Sequence, residues 1–135
     1  MVLNGLDHLA DAAPWLKGRR LGLITSTSGV TRMLTSGIDA IHAQFPLTAL
    51  FGPEHGVRGN VQAGEPIDDA RDAATGLPVY SLYGEHREPT PAMLDGIDVL
   101  LVDLQDIGTR VYTYPSTLAN VMRAAKRAGI AVIVL

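Results

Sequence analysis

Residues 51–60, FGPEHGVRGN, place an acid and an imidazole side by side on a sequence typical of a tight turn. Glu54 and His55 stand between a proline and a glycine, directly after the apolar run 47–51. Proline and glycine disfavour a helix or a continuing strand, so both groups are expected on a turn at the end of a buried strand. Such a position suits proton transfer, although a merely solvated, charged turn is the alternative interpretation.

A second polar segment, residues 103–115, follows the clearest buried strand and reads DLQDIGTRVYTYP. Asp103 and Asp106 are therefore candidate partners for Glu54 in glycoside hydrolysis. That reaction needs one protonated acid at the leaving oxygen and a second group as base, nucleophile or cation stabiliser. Apolar strand ends beside Glu54 would favour its protonated form. Asp103 is equally well explained as a carboxylate that accepts hydrogen bonds from loop N–H groups.

The same segment holds side chains that suit a sugar acid. The planar fork of Arg110 can bind a ligand carboxylate, or it can form a structural ion pair with a neighbouring acid. Tyr112 and Tyr114 alternate and are expected to face one side. They would be either aromatics at the edge of the core or a wall on which a sugar ring stacks.

The elements that must position these residues alternate between apolar strands and helices. Strands are predicted at 20–25, 47–51, 79–82, 97–102 and 131–135, and helices at 4–16, 36–45, 90–94 and 116–128. Near-continuous apolar strands in this order predict an α/β fold, a Rossmann-like, doubly wound and mostly parallel sheet. Every strand-to-helix loop of such a sheet leaves from the same edge. That edge is expected to carry the polar loops at 25–28, 54–60, 83–87 and 103–114.

Within the predicted helices, local signals fix the ends. Asn4 is a candidate N-cap of the first helix, and Pro14 is expected to end or distort it. Ser116 is expected to cap the last helix, whose apolar face includes Met122, and Gly129 is a natural residue just past its end.

The composition describes one ordinary globular domain. The chain has 135 residues, 47% of them hydrophobic, no cysteine and a net charge of −3. Interspersed charges argue against a nucleic-acid partner, and the lack of cysteine excludes disulfides and thiolate chemistry. No apolar run reaches the roughly 18–20 residues of a membrane span, and no signal peptide is evident. The sequence as written therefore predicts a cytoplasmic protein, which would be exported only if a signal has been removed.

Several common signatures are missing from the chain. It contains no GxGxxG, no GxxxxGK[ST] and no GxSxG, which argues against the nucleotide sites and the serine elbow that these motifs form. Ser26 and Ser28 follow the first strand and are either nucleophiles or, more often in such loops, turn formers. No cofactor is expected.

Two alternatives to a glycosidase stay open. His55 and His86, with nearby acids, would make a metal-dependent hydrolase, although their spacing matches no ligand pattern. A non-catalytic, flavodoxin-like binding module is the other alternative. In that case Asp103 would be a phospho-acceptor, but the acidic pair that such a module needs after its first strand is absent.

The segments LFGPEHGVRG, QAGE, TGLPVYSLYGE, PTPAML and DVLLVDLQDIGTRVYTY together resemble the exo-β-N-acetylmuramidase NamZ family of glycoside hydrolases. The resemblance covers almost the whole chain, from about residue 16 to residue 135. It implies that residues 1–135 are a truncated, Rossmann-like N-terminal domain of a longer two-domain protein whose C-terminal domain is absent from this chain. It also implies release of N-acetylmuramic acid from the non-reducing ends of peptidoglycan fragments, in cell-wall turnover and recycling.

The resemblance also assigns site residues. The implied catalytic group comprises Glu54 as the acid, His55 and Asp103. The implied substrate-binding residues are Ser26, Arg58, Gln105, Asp106, Arg110, Tyr112 and Tyr114. We infer that Arg110 faces the lactyl carboxylate of muramic acid. Relatives usually carry threonine-asparagine where this chain has Thr25-Ser26, which removes one amide from the rim. The chain on its own is expected to bind sugar weakly and to turn over little or nothing; its oligomeric state is left open.

Overall fold

The computed structural model describes residues 2–59 and 70–135. Its helical elements are a 3₁₀ turn at Gly5–His8, α1 at Leu9–Leu16, α2 at Gly37–His42 and α3 at Tyr114–Ala128. Its strands are β1 at Leu21–Thr25, β2 at Leu47–Gly52, β3 at Ala70–Arg71, β4 at Pro78–Ser81, β5 at Val99–Asp103 and β6 at Ala131–Val134.

These described strands form one sheet in the order β3-β4-β2-β1-β5-β6. Every neighbouring pair is parallel except β3 with β4, which is antiparallel. The Rossmann-like, mostly parallel α/β fold predicted from the sequence is therefore confirmed. The two-residue β3 was missed because Ala70 and Arg71 are both exposed and carry no strand pattern.

Alternate strand residues point into two apolar layers, one on each face of the sheet. The first layer also holds Leu16 of α1 and Ile41 of α2, and the second holds Val121 of α3. The central strands contribute Leu23, Leu50 and Leu101 to the first layer and Ile24, Phe51 and Val102 to the second. Burial on both faces explains why these strands read as continuous apolar runs.

The N-terminal prediction was partly right. Asn4 does cap the 3₁₀ turn, where its side chain accepts from the Asp7 N–H at 3.2 Å and the Asp7 carboxylate accepts from the Asn4 N–H. The expectation that Pro14 ends the helix was wrong, because α1 continues through it to Leu16. The proline removes one backbone hydrogen bond in a helix that ends two residues later, so little regular helix is lost.

The last helix begins earlier than predicted. Thr113 is its N-cap and Pro115 lies in the first turn, where a fixed φ is favourable, so Ser116 is inside the helix and does not cap it. Met122, predicted on the apolar face, is 52% exposed. Gly129 ends the helix as predicted, with φ +69 and its N–H directed to the carbonyls of the last turn.

The predicted short helix at 90–94 is only a hydrogen-bonded turn, in which the Leu94 N–H donates to Thr90 and Pro91 carbonyls. Across the described residues, no helix is both long and apolar enough to cross a bilayer.

Candidate functional site

The site lies where the strand order reverses. From the central pair β1 and β5, the chain extends the sheet outward in both directions, which makes their carboxyl ends the crevice where ligands bind in open α/β sheets. Thr25 and Asp103 are paired in register at these two ends. The loops that follow β2 and β4 leave from the same edge. The sequence-based prediction of one polar edge thus agrees with the topology.

Glu54 lies on a tight turn that closes on the end of β2. The Gly56 N–H donates to the Pro53 carbonyl at 3.0 Å, and His55 adopts the left-handed conformation with φ +74. This conformation costs a non-glycine residue roughly 1–2 kcal/mol. A Cβ on Gly52 would lie 3.1 Å from the Cα of Gly56, so the turn packs directly on the strand end. Glu54 is half-buried, whereas His55 is exposed.

Two tyrosines flank the Glu54 carboxylate. The carboxylate forms a hydrogen-bonding interaction with the Tyr83 hydroxyl, and this raises the pKa of Tyr83. Burial raises the pKa of Tyr114, while its hydroxyl interacts with Ser26 and Tyr112 and also feels the Glu54 charge. The rings of Tyr112 and Tyr114 lie 4.6 Å apart at their centroids. The structure therefore brings Ser26, Tyr112 and Tyr114 together and places the Tyr114 hydroxyl within electrostatic range of Glu54.

Tyr83 was missed by the sequence reasoning, which singled out the acid and histidine of its loop. Its backbone is held by Ser81, whose hydroxyl donates to the Tyr83 carbonyl at 2.8 Å and accepts from the Tyr83 N–H at 3.1 Å. The feature that could have indicated Tyr83 is its position two residues after β4, which ends at this edge of the sheet. It also directly precedes Gly84, which adopts φ +104.

Asp103 begins a chain of hydrogen bonds toward Ser26. Its Oδ1 accepts from Gln105 Nε2 at 2.8 Å, the Gln105 Oε1 accepts from the Ser28 hydroxyl, and the hydroxyl oxygens of Ser28 and Ser26 lie 3.0 Å apart. Asp103 is only 3% exposed, and its buried Oδ2 has no hydrogen-bond partner among the described residues. Burial raises the pKa of the Asp103 carboxyl, and the Gln105 hydrogen bond opposes part of that rise.

Arg58 is bound to two carboxylates. Its Nε donates to Asp72 at 2.5 Å, and its Nη2 donates to Asp72 at 3.0 Å and to Asp39 at 2.8 Å. The guanidinium holds the pKa of Asp72 at about 2. Arg58 also lines a cavity of about 230 Å³ together with Ser26. It thus lies at the edge of the site, with its fork already occupied.

Two of the predicted sugar ligands stand apart from this group. Asp106 and Arg110 are exposed, and neither forms a hydrogen bond or ion pair with another residue that the structure describes. The ion pair considered for Arg110 is therefore not seen in this part of the chain. The polar residues Asn60, Gln62 and Glu65, including the QAGE motif, lie outside the described residues.

Within ranges 2–59 and 70–135, no three His, Asp or Glu side chains come close enough together to hold a metal ion. The combination of His55 and His86 with their neighbouring acids is accordingly not assembled there.

A second cavity, of about 340 Å³, lies beside the tyrosine–glutamate pair. Tyr83, Arg87 and Leu82 form one side of it, and residues from the start of α3, including Ser116 and Asn120, form the other. The sequence reasoning named Arg87 only as the end of an edge loop.

The fold and the site define a Rossmann-like α/β domain with a half-buried glutamate and two tyrosines in loops at the carboxyl edge of its sheet. Residues 21–135 match the family model described as exo-beta-N-acetylmuramidase NamZ, N-terminal, and the chain belongs to this family. The resemblance inferred from the motifs is therefore confirmed.

Relatives of known name or structure agree with this assignment. The chain is 51% identical over 137 aligned positions to the peptidoglycan beta-N-acetylmuramidase NamZ of Bacillus subtilis strain 168, covering 99% of this chain and 33% of that protein. Two crystal structures of DUF1343 family proteins from Bacteroides fragilis superimpose with TM-scores of 0.88 and 0.80 at 48% and 29% identity. They cover 98% and 99% of this chain and 34% of each of theirs. The chain thus spans about a third of the length of these relatives.

Proposed function

We propose that the protein carrying this chain is a glycoside hydrolase that releases N-acetylmuramic acid from the non-reducing ends of peptidoglycan fragments, in cell-wall turnover and recycling. The observation that carries the proposal is the environment of Glu54. A half-buried carboxyl group that interacts with the Tyr83 hydroxyl lies on a strained turn at the carboxyl edge of the sheet, in a chain 51% identical to a named peptidoglycan beta-N-acetylmuramidase.

In this proposal Glu54 is the general acid that protonates the leaving oxygen. The Tyr83 hydroxyl interacts with its carboxylate, and His55, next to it on the turn, is exposed on the side from which a substrate would approach. His55 is held in a left-handed conformation at an energetic cost, and such strain is concentrated at functional sites.

Asp103 is the second proposed catalytic carboxylate. Its position in the sheet supports a catalytic role, whereas its burial argues against one. It lies at the end of β5 on the ligand-binding edge, but Gln105 covers one oxygen and the other is buried. In the described geometry its carboxylate reaches the sugar only through Gln105 and Ser28. We therefore propose that Asp103 positions Gln105, Ser28 and Ser26, and that a different group serves as the second catalytic function.

The sugar ring is proposed to bind against Tyr112 and Tyr114, whose contacting rings offer an aromatic wall. Ser26 and Gln105 would supply hydrogen bonds to its hydroxyl and amide groups, and the exposed Asp106 and Arg110 would contact the substrate from the loop after β5. We further propose that residues 1–135 form an N-terminal domain, that a second domain closes the cleft, and that the chain alone turns over little.

The test is hydrolysis of a chromogenic N-acetylmuramic acid β-glycoside by the complete gene product. Glu54→Gln preserves the shape and removes the acidic proton, and it should lower kcat/KM by roughly a hundred- to ten-thousand-fold. Glu85→Gln, an exposed acid on the loop after β4, is the matched control and should change little. Equal activity of the wild type and Glu54→Gln would make Glu54 a mere turn residue. Activity that depends on a chelatable metal would support the metal-dependent alternative instead.

A further inference from the structure

The 340 Å³ cavity beside Tyr83 combines an apolar floor with polar walls and one cation. Leu82 is 3% exposed and forms the floor, while Ser116 and Asn120 present polar groups from α3. Arg87 supplies the positive charge. Among the described residues that line the cavity there is no acidic side chain. The cavity is therefore chemically suited to a small group that carries a negative charge.

Arg87 lines this cavity and, like Arg110, has no acidic partner among the described residues. Arg20, Arg58 and Arg127, by contrast, form ion pairs with Asp98, Asp72 and Glu88. The backbone at Arg87 is nevertheless fixed, because Asn120 Nδ2 donates to its carbonyl at 3.1 Å. The backbone of Arg87 is thus anchored to α3, and its side chain lines the cavity without an acidic partner among the described residues.

Tyr83 joins this cavity to the proposed catalytic acid. Its side chain lines the cavity with Arg87, and its hydroxyl forms the hydrogen-bonding interaction with Glu54. The positive charge of Arg87 acts on the same hydroxyl, since it lowers the pKa of Tyr83 in opposition to Glu54. A ligand group in the cavity therefore lies one tyrosine side chain away from the acid that would cleave the bond.

We propose that this cavity, hereafter the Arg87 cavity, binds the carboxylate-bearing substituent of the sugar whose glycosidic oxygen lies at Glu54, and that Arg87 determines specificity for an acidic sugar. The inference rests on the proposed function. On the muramic acid ring that substituent is the lactyl ether, a three-carbon group ending in a carboxylate, which a guanidinium fork binds with two parallel hydrogen bonds. This replaces Arg110, the residue assigned to the lactyl group from the sequence.

The experiment compares two chromogenic β-glycosides, N-acetylmuramic acid and its lactyl methyl ester, with the complete gene product. The ester keeps the shape and loses the charge. We expect the wild type to prefer the free acid and Arg87→Gln to lower kcat/KM for the acid by about ten- to a hundred-fold, the range of a charge-assisted hydrogen bond. Activity on the ester should change little, and Arg87→Lys should recover part of the preference. Arg19→Gln, exposed at the opposite edge of the sheet, should leave both activities unchanged.

The proposal is overturned if Arg87→Gln affects acid and ester equally, or if Arg110→Gln abolishes the preference while Arg87→Gln does not. Calorimetric binding of free N-acetylmuramic acid and of its methyl ester separates this inference from the proposed function. If the wild type cleaves neither glycoside, the proposed function fails, yet an acid preference that Arg87→Gln removes would still support the Arg87 cavity. Equal binding of acid and ester by the wild type overturns the Arg87 cavity even if cleavage occurs. An unchanged circular dichroism spectrum of Arg87→Gln excludes misfolding as the cause.

Discussion

Replacing Arg58 by methionine tests whether this arginine is a structural ion-pair residue or a sugar ligand. The substitution keeps an apolar stem of similar length and removes the charge from two carboxylates. Asp39 is 47% exposed at its side chain, so its pair with Arg58 contributes little, whereas Asp72 is only 3% exposed. Losing the partner of the buried Asp72 is therefore the dominant effect.

The magnitude follows from the pKa of Asp72, which falls from 3.8 to about 2 in the folded protein. Each pKa unit corresponds to about 1.4 kcal/mol, and Thr75 supplies a smaller part of the shift than Arg58 does. We expect Arg58→Met to lower the free energy of unfolding by about 2 kcal/mol at pH 7. Because the folded-state pKa is depressed, this stabilisation is fully present above about pH 4. It is lost as the pH falls through about 2, so wild type and variant should converge there.

Urea unfolding followed by far-ultraviolet circular dichroism at pH 7, 4 and 2 measures this difference. Arg20→Met is the matched control, because Arg20 and Asp98 are 57% and 38% exposed, so their pair should contribute less to stability than the pair of Arg58 and Asp72. An Asp72→Asn background should remove most of the effect of Arg58→Met. The reasoning is refuted if Arg58→Met unfolds at the wild-type urea concentration at pH 7. A raised KM with unchanged stability would instead make Arg58 a sugar ligand.

Three further outcomes are expected, each measured as a free energy of unfolding in urea. A Cβ on Gly29 would overlap Thr25 Oγ1 and lie 2.5 Å from Asp103 Oδ2, so Gly29→Ala should destabilise the fold by about 1–3 kcal/mol; unchanged stability would mean that the strand ends shift freely. Burial raises the pKa of Asp103, so ionisation of this carboxyl group lowers the stability of the wild type as the pH rises from about 4. The free energy of unfolding of Asp103→Asn should therefore rise relative to that of the wild type between about pH 3 and pH 7. A difference between the two proteins that stays constant over this range would contradict the burial argument. His55→Gly should relieve the left-handed strain and raise stability by about 0.5–1 kcal/mol while lowering glycosidase activity; a loss of stability would show that His55 makes contacts that outweigh the strain.

The fold could be predicted from the sequence because its main strands are buried on both faces. Residues of β1 and β5 are all buried, so each reads as an uninterrupted apolar run whose length and flanks identify it. The errors fall at the starts of helices. Thr90 initiates a turn that does not continue as a helix, and Pro115 moves the start of α3 to Tyr114.

The site could be predicted to the level of its loops, but not of its contacts. The strand-end rule placed Glu54, Ser26 and Asp103 on one edge. It could not show that Tyr83 interacts with Glu54, since that contact depends on how far each of the two loops extends beyond the ends of the strands. Nor could sequence spacing show that Arg58 is paired with carboxylates while Arg87 is not, because such pairing depends on which acidic side chains the fold brings close to each arginine.

The contrast between Glu54 and Asp103 shows how a shared edge gives two carboxylates different chemistry. Glu54 stands on a turn that projects past the strand, where it meets hydroxyl groups and a path to solvent. Asp103 is the last residue of β5 itself, so its side chain is enclosed by the neighbouring strand end and by Gln105. A group must contact the reacting atoms to transfer a proton, and of these two carboxylates Glu54 is the more accessible. The roles proposed for the two residues thus follow from one carboxylate lying on the turn after its strand and the other in the strand itself. For this reason Asp103→Asn should alter KM and the pH profile without the large loss of kcat expected for Glu54→Gln.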